Sequence, residues 1–278
     1  MAPATQPGSA AHDADRENQA RVRANRRRAR ALCVAAAIPP ACVVGVVVAV
    51  LAVPPIGAAA AAVVVVVLAL CLHRYAVALA LAVVGGREVA DHDVPALANQ
   101  VEGLCATLGV AQPVLRIVDD DVPNSCALGR GGERSVLVLT SGMLGRAGLM
   151  ELEGVLAHEL AHVKRHDACV SAVAVVTAGV VAWLTGRDGI VHAAVGRGRE
   201  YGADQAAALA VRYPPGLCEA LGSLARRPVV PREGSVFSGR RWAATRWVWI
   251  DPMVGEVERA PVGDIDATDV RAEALAQW

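Results

Sequence analysis

Between Arg30 and His73 the chain carries no charged side chain. A run of that length restricts the fold more than any other feature, because a bilayer admits only segments whose backbone groups are satisfied internally, and here that means helices. Ala31–Val53 is long enough to span at about 1.5 Å per residue. Pro54-Pro55-Ile56-Gly57 reads as a tight turn, and Gly57–Leu72 as a second apolar span stopped by His73 and Arg74. Pro39-Pro40 predicts a kink in the first span, and Gly45, Gly57 and the many alanines permit close helix contact. A signal peptide is the rival for the first segment. A second span follows at once, however, with no small-residue cleavage site and polar mature chain between them.

Arg21, Arg23, Arg26, Arg27, Arg28 and Arg30 precede the first span, the hairpin turn is uncharged, and Arg74 and Arg87 follow the second. A basic arm for nucleic acid is the alternative reading of that cluster, but its position against a hydrophobic segment favours a positive-inside flank. Both ends of the hairpin, and everything after Gly85, are therefore expected to face the cytoplasm. The whole is expected in the cell membrane as a multi-pass protein. A hydrophobic fraction of 54% with only 3% aromatic residues agrees with membrane segments. Formal net charge is zero, so no global field recruits nucleic acid or an acidic substrate. Seven scattered cysteines show no C-x-x-C spacing, which favours a reducing compartment over a disulfide framework.

The expected organisation is a disordered, Arg-rich cytoplasmic tail over 1–30, a helical hairpin over 31–84 and a catalytic domain over 85–278. Within the last, Glu88–Gly109 has Leu97, Val101 and Leu104 at helical spacing. Val114–Val118 alternates as a strand, and Ser135–Thr140 is a continuous apolar strand after a glycine-rich turn at 129–132. Leu217–Leu224 reads as a helix and Pro228–Ser238 as a loop. Trp242, Trp247 and Trp249, interleaved with Arg240, Arg241 and Arg246, read as a packed loop cluster, with an interfacial anchor or a substrate groove as alternatives.

The chemistry centres on Leu156-Ala157-His158-Glu159-Leu160-Ala161-His162, an H-E-x-x-H within helix formers. Residues four apart share a helical face, so His158 and His162 can hold one ion, with Glu159 placed to accept a proton from water on it. The plain alternative is two core histidines and a surface glutamate. Catalytic zinc needs three protein ligands and an open position. Arg197-Gly198-Arg199-Glu200-Tyr201-Gly202-Ala203-Asp204 supplies a candidate: Glu200 as the carboxylate ligand and Asp204, four residues on, as an acceptor fixing the ring of a ligating histidine. A solvated acidic face is the alternative there.

Together, His158-Glu159-Leu160-Ala161-His162 and Arg197-x-x-Glu200-x-x-Ala203-Asp204 resemble the HtpX-type zinc metallopeptidases, relatives of the CAAX prenyl protease. Pro123-Asn124-Ser125-Cys126-Ala127-Leu128-Gly129 and the strand from Ser135 are similar to that family's Asn-Ala-Phe-Ala segment and following strand. The resemblance implies an α+β, mainly α fold, in which a two-helix transmembrane hairpin precedes a zincin-type domain with a small β-sheet beside the active-site helix. It implies a gluzincin-type zinc endopeptidase with one Zn2+ per chain on His158, His162 and Glu200, acting on protein or peptide substrates, misfolded membrane proteins among them, and bound to the lipid bilayer. Asn124 and Ala127 are where it places contact with the substrate backbone. Asp269-Val270-Arg271-Ala272-Glu273-Ala274-Leu275 looks like the family's C-terminal helix, although the His-Pro pair is missing, and Arg271 would be the group stabilising the transition state.

Ala168–Gly186 is nearly uncharged, yet it lies between His162 and Glu200, which must meet on one side of any bilayer. Ile190–Val195 is too short to return across a membrane. The segment is therefore expected as a buried or membrane-surface helix turning at Thr185–Gly189, where family members typically carry two membrane helices. A prenyl-peptide protease would need an enclosed multi-span chamber, and a sensor cleaving a repressor would need a further ligand-binding domain. A non-enzymic membrane scaffold or sensor with a structural metal remains the alternative of a different class.

Overall fold

The structure is a computed structural model that describes residues 7–131, 134–211, 213–226, 229–254 and 267–277, the first eight of these by backbone alone. Residues 1–6 of the expected tail, Gly132 of the glycine-rich turn and Pro228 of the expected loop lie outside the described residues.

Helix α1 runs from Pro7 to Leu51 and α2 from Pro54 to Val84. These two helices are long and apolar enough to cross a membrane. They meet at glycine: a Cβ on Gly57 would fall 2.5 Å from the Gly45 carbonyl oxygen and 2.6 Å from Ala49 Cβ. Only a hydrogen side chain lets the backbones approach this closely. The expected disordered tail is a correction. From Pro7 the chain is already helical, and α1 continues through the arginine cluster into the apolar span. Its charged segment has contacts to hold it. Arg28 donates to the Ala193 and Val195 carbonyls, and Asn25 to the Arg165 carbonyl and the Asp167 carboxylate.

After β1 (Arg87–Glu88), helix α3 covers Pro95–Leu108, shorter than its apolar spacing predicts. Pro95 occupies the first turn, where its missing N–H costs nothing, and Gly109 ends the helix with left-handed φ 68°. Strands β2 (Val114–Val118), β3 (Ser125–Gly129) and β4 (Ser135–Thr140) complete a mixed sheet of order β1-β2-β4-β3. The central β2–β4 pair is parallel and the outer pairs antiparallel. Along β4, Val136 and Val138 face one core while Leu137 and Leu139 face the other, as the two-residue period requires. One face of the sheet covers α3, α5 (Leu149–Lys164) and α10 (Pro215–Arg226); the other covers the hairpin and α6 (Asp167–Val176).

A short α4 (Ser141–Arg146) leads into α5. Helix α5 is buried on every side from Gly154 to Val163 and approaches α10 so closely that a Cβ on Gly154 would meet Leu217 N at 2.6 Å. The stretch expected as one helix over 168–186 is two: α6 and α7 (Ala178–Thr185) join at Thr177 with a 43° bend. Helix α6 is buried within the protein, whereas α7 exposes Val180, Val181, Trp183 and Leu184. The chain turns at Gly186 and returns as α8 (Gly189–Val195) to α9 (Arg199–Ala210). The tryptophans of the 239–254 region are packed: Trp249 and Trp242 meet Phe237 edge-on, and Trp247 stacks on His192 at 3.8 Å. Two further helices are α11 (Gly239–Thr245) and α12 (Thr268–Leu275).

Candidate metal centre

His158, Glu159 and His162 sit in the middle of the buried part of α5, and Glu200 and Asp204 occupy the facing side of α9. Two left-handed glycines, Gly196 (φ 93°) and Gly198 (φ 71°), turn the chain from α8 so that Glu200 falls in the first turn of α9. Nε2 of His158 and Nε2 of His162 are 3.1 Å apart. Oε2 of Glu200 lies 3.1 Å from the first and 3.4 Å from the second. A tetrahedral ion bound at about 2.0–2.1 Å has ligand atoms roughly 3.3 Å apart, so this triangle has the size of one face of such a site. It is the one group of three metal-ligating side chains among the described residues.

The far side of each imidazole is held by a carboxylate. His158 Nδ1 is 2.8 Å from Asp204 Oδ1, and His162 Nδ1 is 3.3 Å from Asp167 Oδ2. With each Nδ1–H donated outward, both Nε2 atoms present lone pairs to the same point. Two lone pairs and a carboxylate oxygen cannot satisfy one another there; a divalent cation can. Asp167 reaches back to His162 because His166 adopts a left-handed conformation, φ 61°, which reverses the chain directly after α5.

The same carboxylates also favour a proton on His162, which a metal ion would displace. Burial disfavours a charged His162, but the carboxylates of Glu200 and Asp167 outweigh it and push its pKa up to about 9. Burial also opposes the charge on Glu200, and His162, Arg199 and Arg271 overcome it, holding that carboxyl well below the usual range. Asp204 is drawn down to about 2, its burial outweighed by Arg271 and His158.

Three neighbours were not singled out by sequence reasoning. Arg199 Nε lies 2.8 Å from Glu200 Oε1, leaving Oε2 for the triangle, while its other nitrogens donate to Ser171 Oγ and the Trp247 carbonyl. Asp167 holds His162. Ser125 donates from Oγ to Glu159 Oε1 at 2.6 Å. Of these, Asp167 had a local signal, a carboxylate just past the last turn of the histidine helix, and Arg199 stands next to Glu200 in the sequence, whereas Ser125 had none.

Two residues expected to meet substrate are buried. Asn124 is fully buried: its amide nitrogen donates to the Asp251 carbonyl, and its oxygen accepts from the Asp251 and Ser125 N–H groups. It clamps the 251 segment rather than facing a peptide, because the strand end it occupies is covered. Arg271 is fully buried too, its guanidinium paired through Nε and Nη2 with both Asp204 oxygens at 2.8 Å and bonded through Nη1 to the Ile250 carbonyl. Its Nη1 also lies 3.4 Å from Glu200 Oε2, so it touches one donor of the triangle as well as Asp204. Ala127 lies on β3, an edge strand. Thr140 N–H donates to the Asn124 carbonyl, so by alternation the N–H and C=O of Ala127 point away from β4. A small recess of about 10 Å³ beside Glu200 is lined by His192, Arg199, Trp247, Trp249 and Pro252.

A family model described as Peptidase family M48 matches residues 91–248, more than half of the chain and the whole of α5 and α9. The chain belongs to peptidase family M48. Among curated relatives, a protein of Dictyoglomus turgidum named Protease HtpX homolog is 35% identical over 175 residues, covering 51% of this chain and 58% of its own length. One of Tropheryma whipplei (strain Twist) with the same name is 36% identical over 179 residues, 52% of this chain and 62% of its own. One of Salinibacter ruber, again so named, is 32% identical over 176 residues, 55% and 64%. The match thus spans less than two thirds of the length of these relatives.

Proposed function

We propose that this M48 protein is a membrane-anchored zinc endopeptidase, and the observation that carries the reading is the triangle of His158 Nε2, His162 Nε2 and Glu200 Oε2. Held by those three atoms, zinc would lower the pKa of a bound water to about 7 and polarise the substrate carbonyl. Glu159 takes the proton of the attacking water and hands it to the leaving amine. Asp204 and Asp167 keep both rings in the tautomer a ligand needs, and Arg199 keeps Glu200 from rotating away. The N–H and C=O of Ala127, turned away from β4 in a buried strand, are the groups with which an extended peptide would pair. A donor set of three, with a carboxylate next in sequence, suits an open catalytic site better than a closed structural one.

In this reading the two apolar helices anchor the domain to the cell membrane as a hairpin, and the arginines before the first support a cytoplasmic side for the domain. Relatives named Protease HtpX homolog support the protease activity, and the substrates proposed for it are membrane proteins, misfolded ones included. The test uses the full chain purified in detergent, its zinc content measured and its cleavage of casein followed with and without chelator. Glu159→Gln is expected to keep stoichiometric zinc while hydrolysis falls at least about a hundredfold. Cleavage by this variant at the parental rate would remove the mechanism.

A further inference from the structure

The charged segment of α1 lies outside the part of the chain matched by the family model, yet it reaches the metal centre. Asn25 Nδ2 donates to Asp167 Oδ1 at 2.6 Å and to the Arg165 carbonyl at 2.9 Å. Both partners are acceptors, so the amide must present its nitrogen, and both of its hydrogens are used. The other oxygen of Asp167 faces His162 Nδ1. An unbroken hydrogen-bonded path therefore runs from the membrane-proximal helix through one carboxylate to a ring of the triangle.

Asp167 is buried as the first residue of α6, and its Oδ2, which faces His162, also lies 3.7 Å from Arg165 Nε. Its other oxygen, Oδ1, is held by Asn25, an anchor from outside the part of the chain matched by the family model. Three residues further along α1, Arg28 donates to carbonyls at the end of α8, the element that delivers α9 and Glu200. The same helix thus braces the approaches to two of the three donors.

We infer that Asn25 is a positioning residue for metal binding: it fixes Asp167, which orients His162, so that docking of the anchor helix completes the zinc site. This rests on the zinc reading above. Partners that orient metal ligands are typically worth tenfold or more in affinity.

The test measures zinc affinity by competition with a chromogenic chelator, and the visible spectrum of the cobalt-loaded protein, on the full chain in detergent. Asn25→Ala is expected to weaken zinc about tenfold and alter the cobalt spectrum. Asn25→Asp, of the same shape, sets a carboxylate against Asp167 and is expected to weaken it further. Gln19→Ala, whose side chain reaches only Asp15 on the same helix, should match the parent. In an Asp167→Ala background, Asn25→Ala should add nothing. Parental affinity and spectrum in both Asn25 variants, or a loss undiminished in the Asp167→Ala background, would overturn the assignment. A parent that binds neither zinc nor cobalt would instead remove the proposed metal function itself.

Discussion

The hydroxyl of Ser125 lies 2.6 Å from Oε1 of Glu159, and both residues are buried. This contact joins the edge strand to the histidine helix at the side chain proposed to move the proton. One carboxylate oxygen is occupied, which leaves Oε2 as the oxygen for water.

Ser125→Ala is accordingly expected to lower kcat several-fold, the effect of losing about 1 kcal/mol of orientation, with zinc content and KM unchanged. Ser125→Thr keeps the hydroxyl and should recover most of the rate. Steady-state kinetics on a fluorogenic peptide, alongside metal analysis, checks both. An alanine variant with altered zinc content would show the hydroxyl to be structural.

Arg271 is sealed from solvent and pairs with both oxygens of Asp204. Removing it strands a buried carboxylate, a loss of about 3–5 kcal/mol. Arg271→Ala should shift denaturant unfolding by that order and weaken zinc through His158. Arg271→Lys restores the charge but not the two-pronged geometry, and should fall between.

Acid should act on the same pair. The folded-state pKa of Asp204, about 2, lies below its ordinary 3.8, so the carboxylate contributes stability that is fully present above pH 4 and is lost as the pH falls through 2. The gap corresponds to roughly 2 kcal/mol. Thermal melts of the metal-free protein between pH 5 and 2 should show this decline, and Asp204→Asn, lower at pH 5, should show a shallower one.

What could be read from the chain is what depends on local period. His158 and His162, like Glu200 and Asp204, share a face because a helix brings i and i+4 together regardless of surroundings. The apolar run of Ser135–Thr140 marks a strand covered on both sides, and the uncharged stretch from Ala31 marks the hairpin. What escaped depends on tertiary partners. The arginine-rich start of α1 resembles a solvated tail in composition, and the Asp167 carboxylate with the Arg165, Ala193 and Val195 carbonyls gives its side chains a reason to be ordered. Asn124 sits where a peptide contact was expected, but the 251 segment, far away in sequence, lies over it. Ser125 carries no spacing signal, since it meets Glu159 only through the approach of β3 to α5. Arg199, though next to Glu200 in α9, is fixed there by Ser171 and Trp247 from elsewhere in the chain. The break at Thr177 is equally silent in a stretch that is apolar on either side.

The detour through α6, α7 and α8 has a consequence for how such a protein can change. Its two ends are pinned at the reactive cluster, by Asp167 on one side and Arg199 on the other, while its tip at 185–189 is largely open to solvent. Growth or trimming at that tip leaves every donor atom in place. The length of this loop is therefore a variable that evolution can adjust at its far end, independently of the donor atoms.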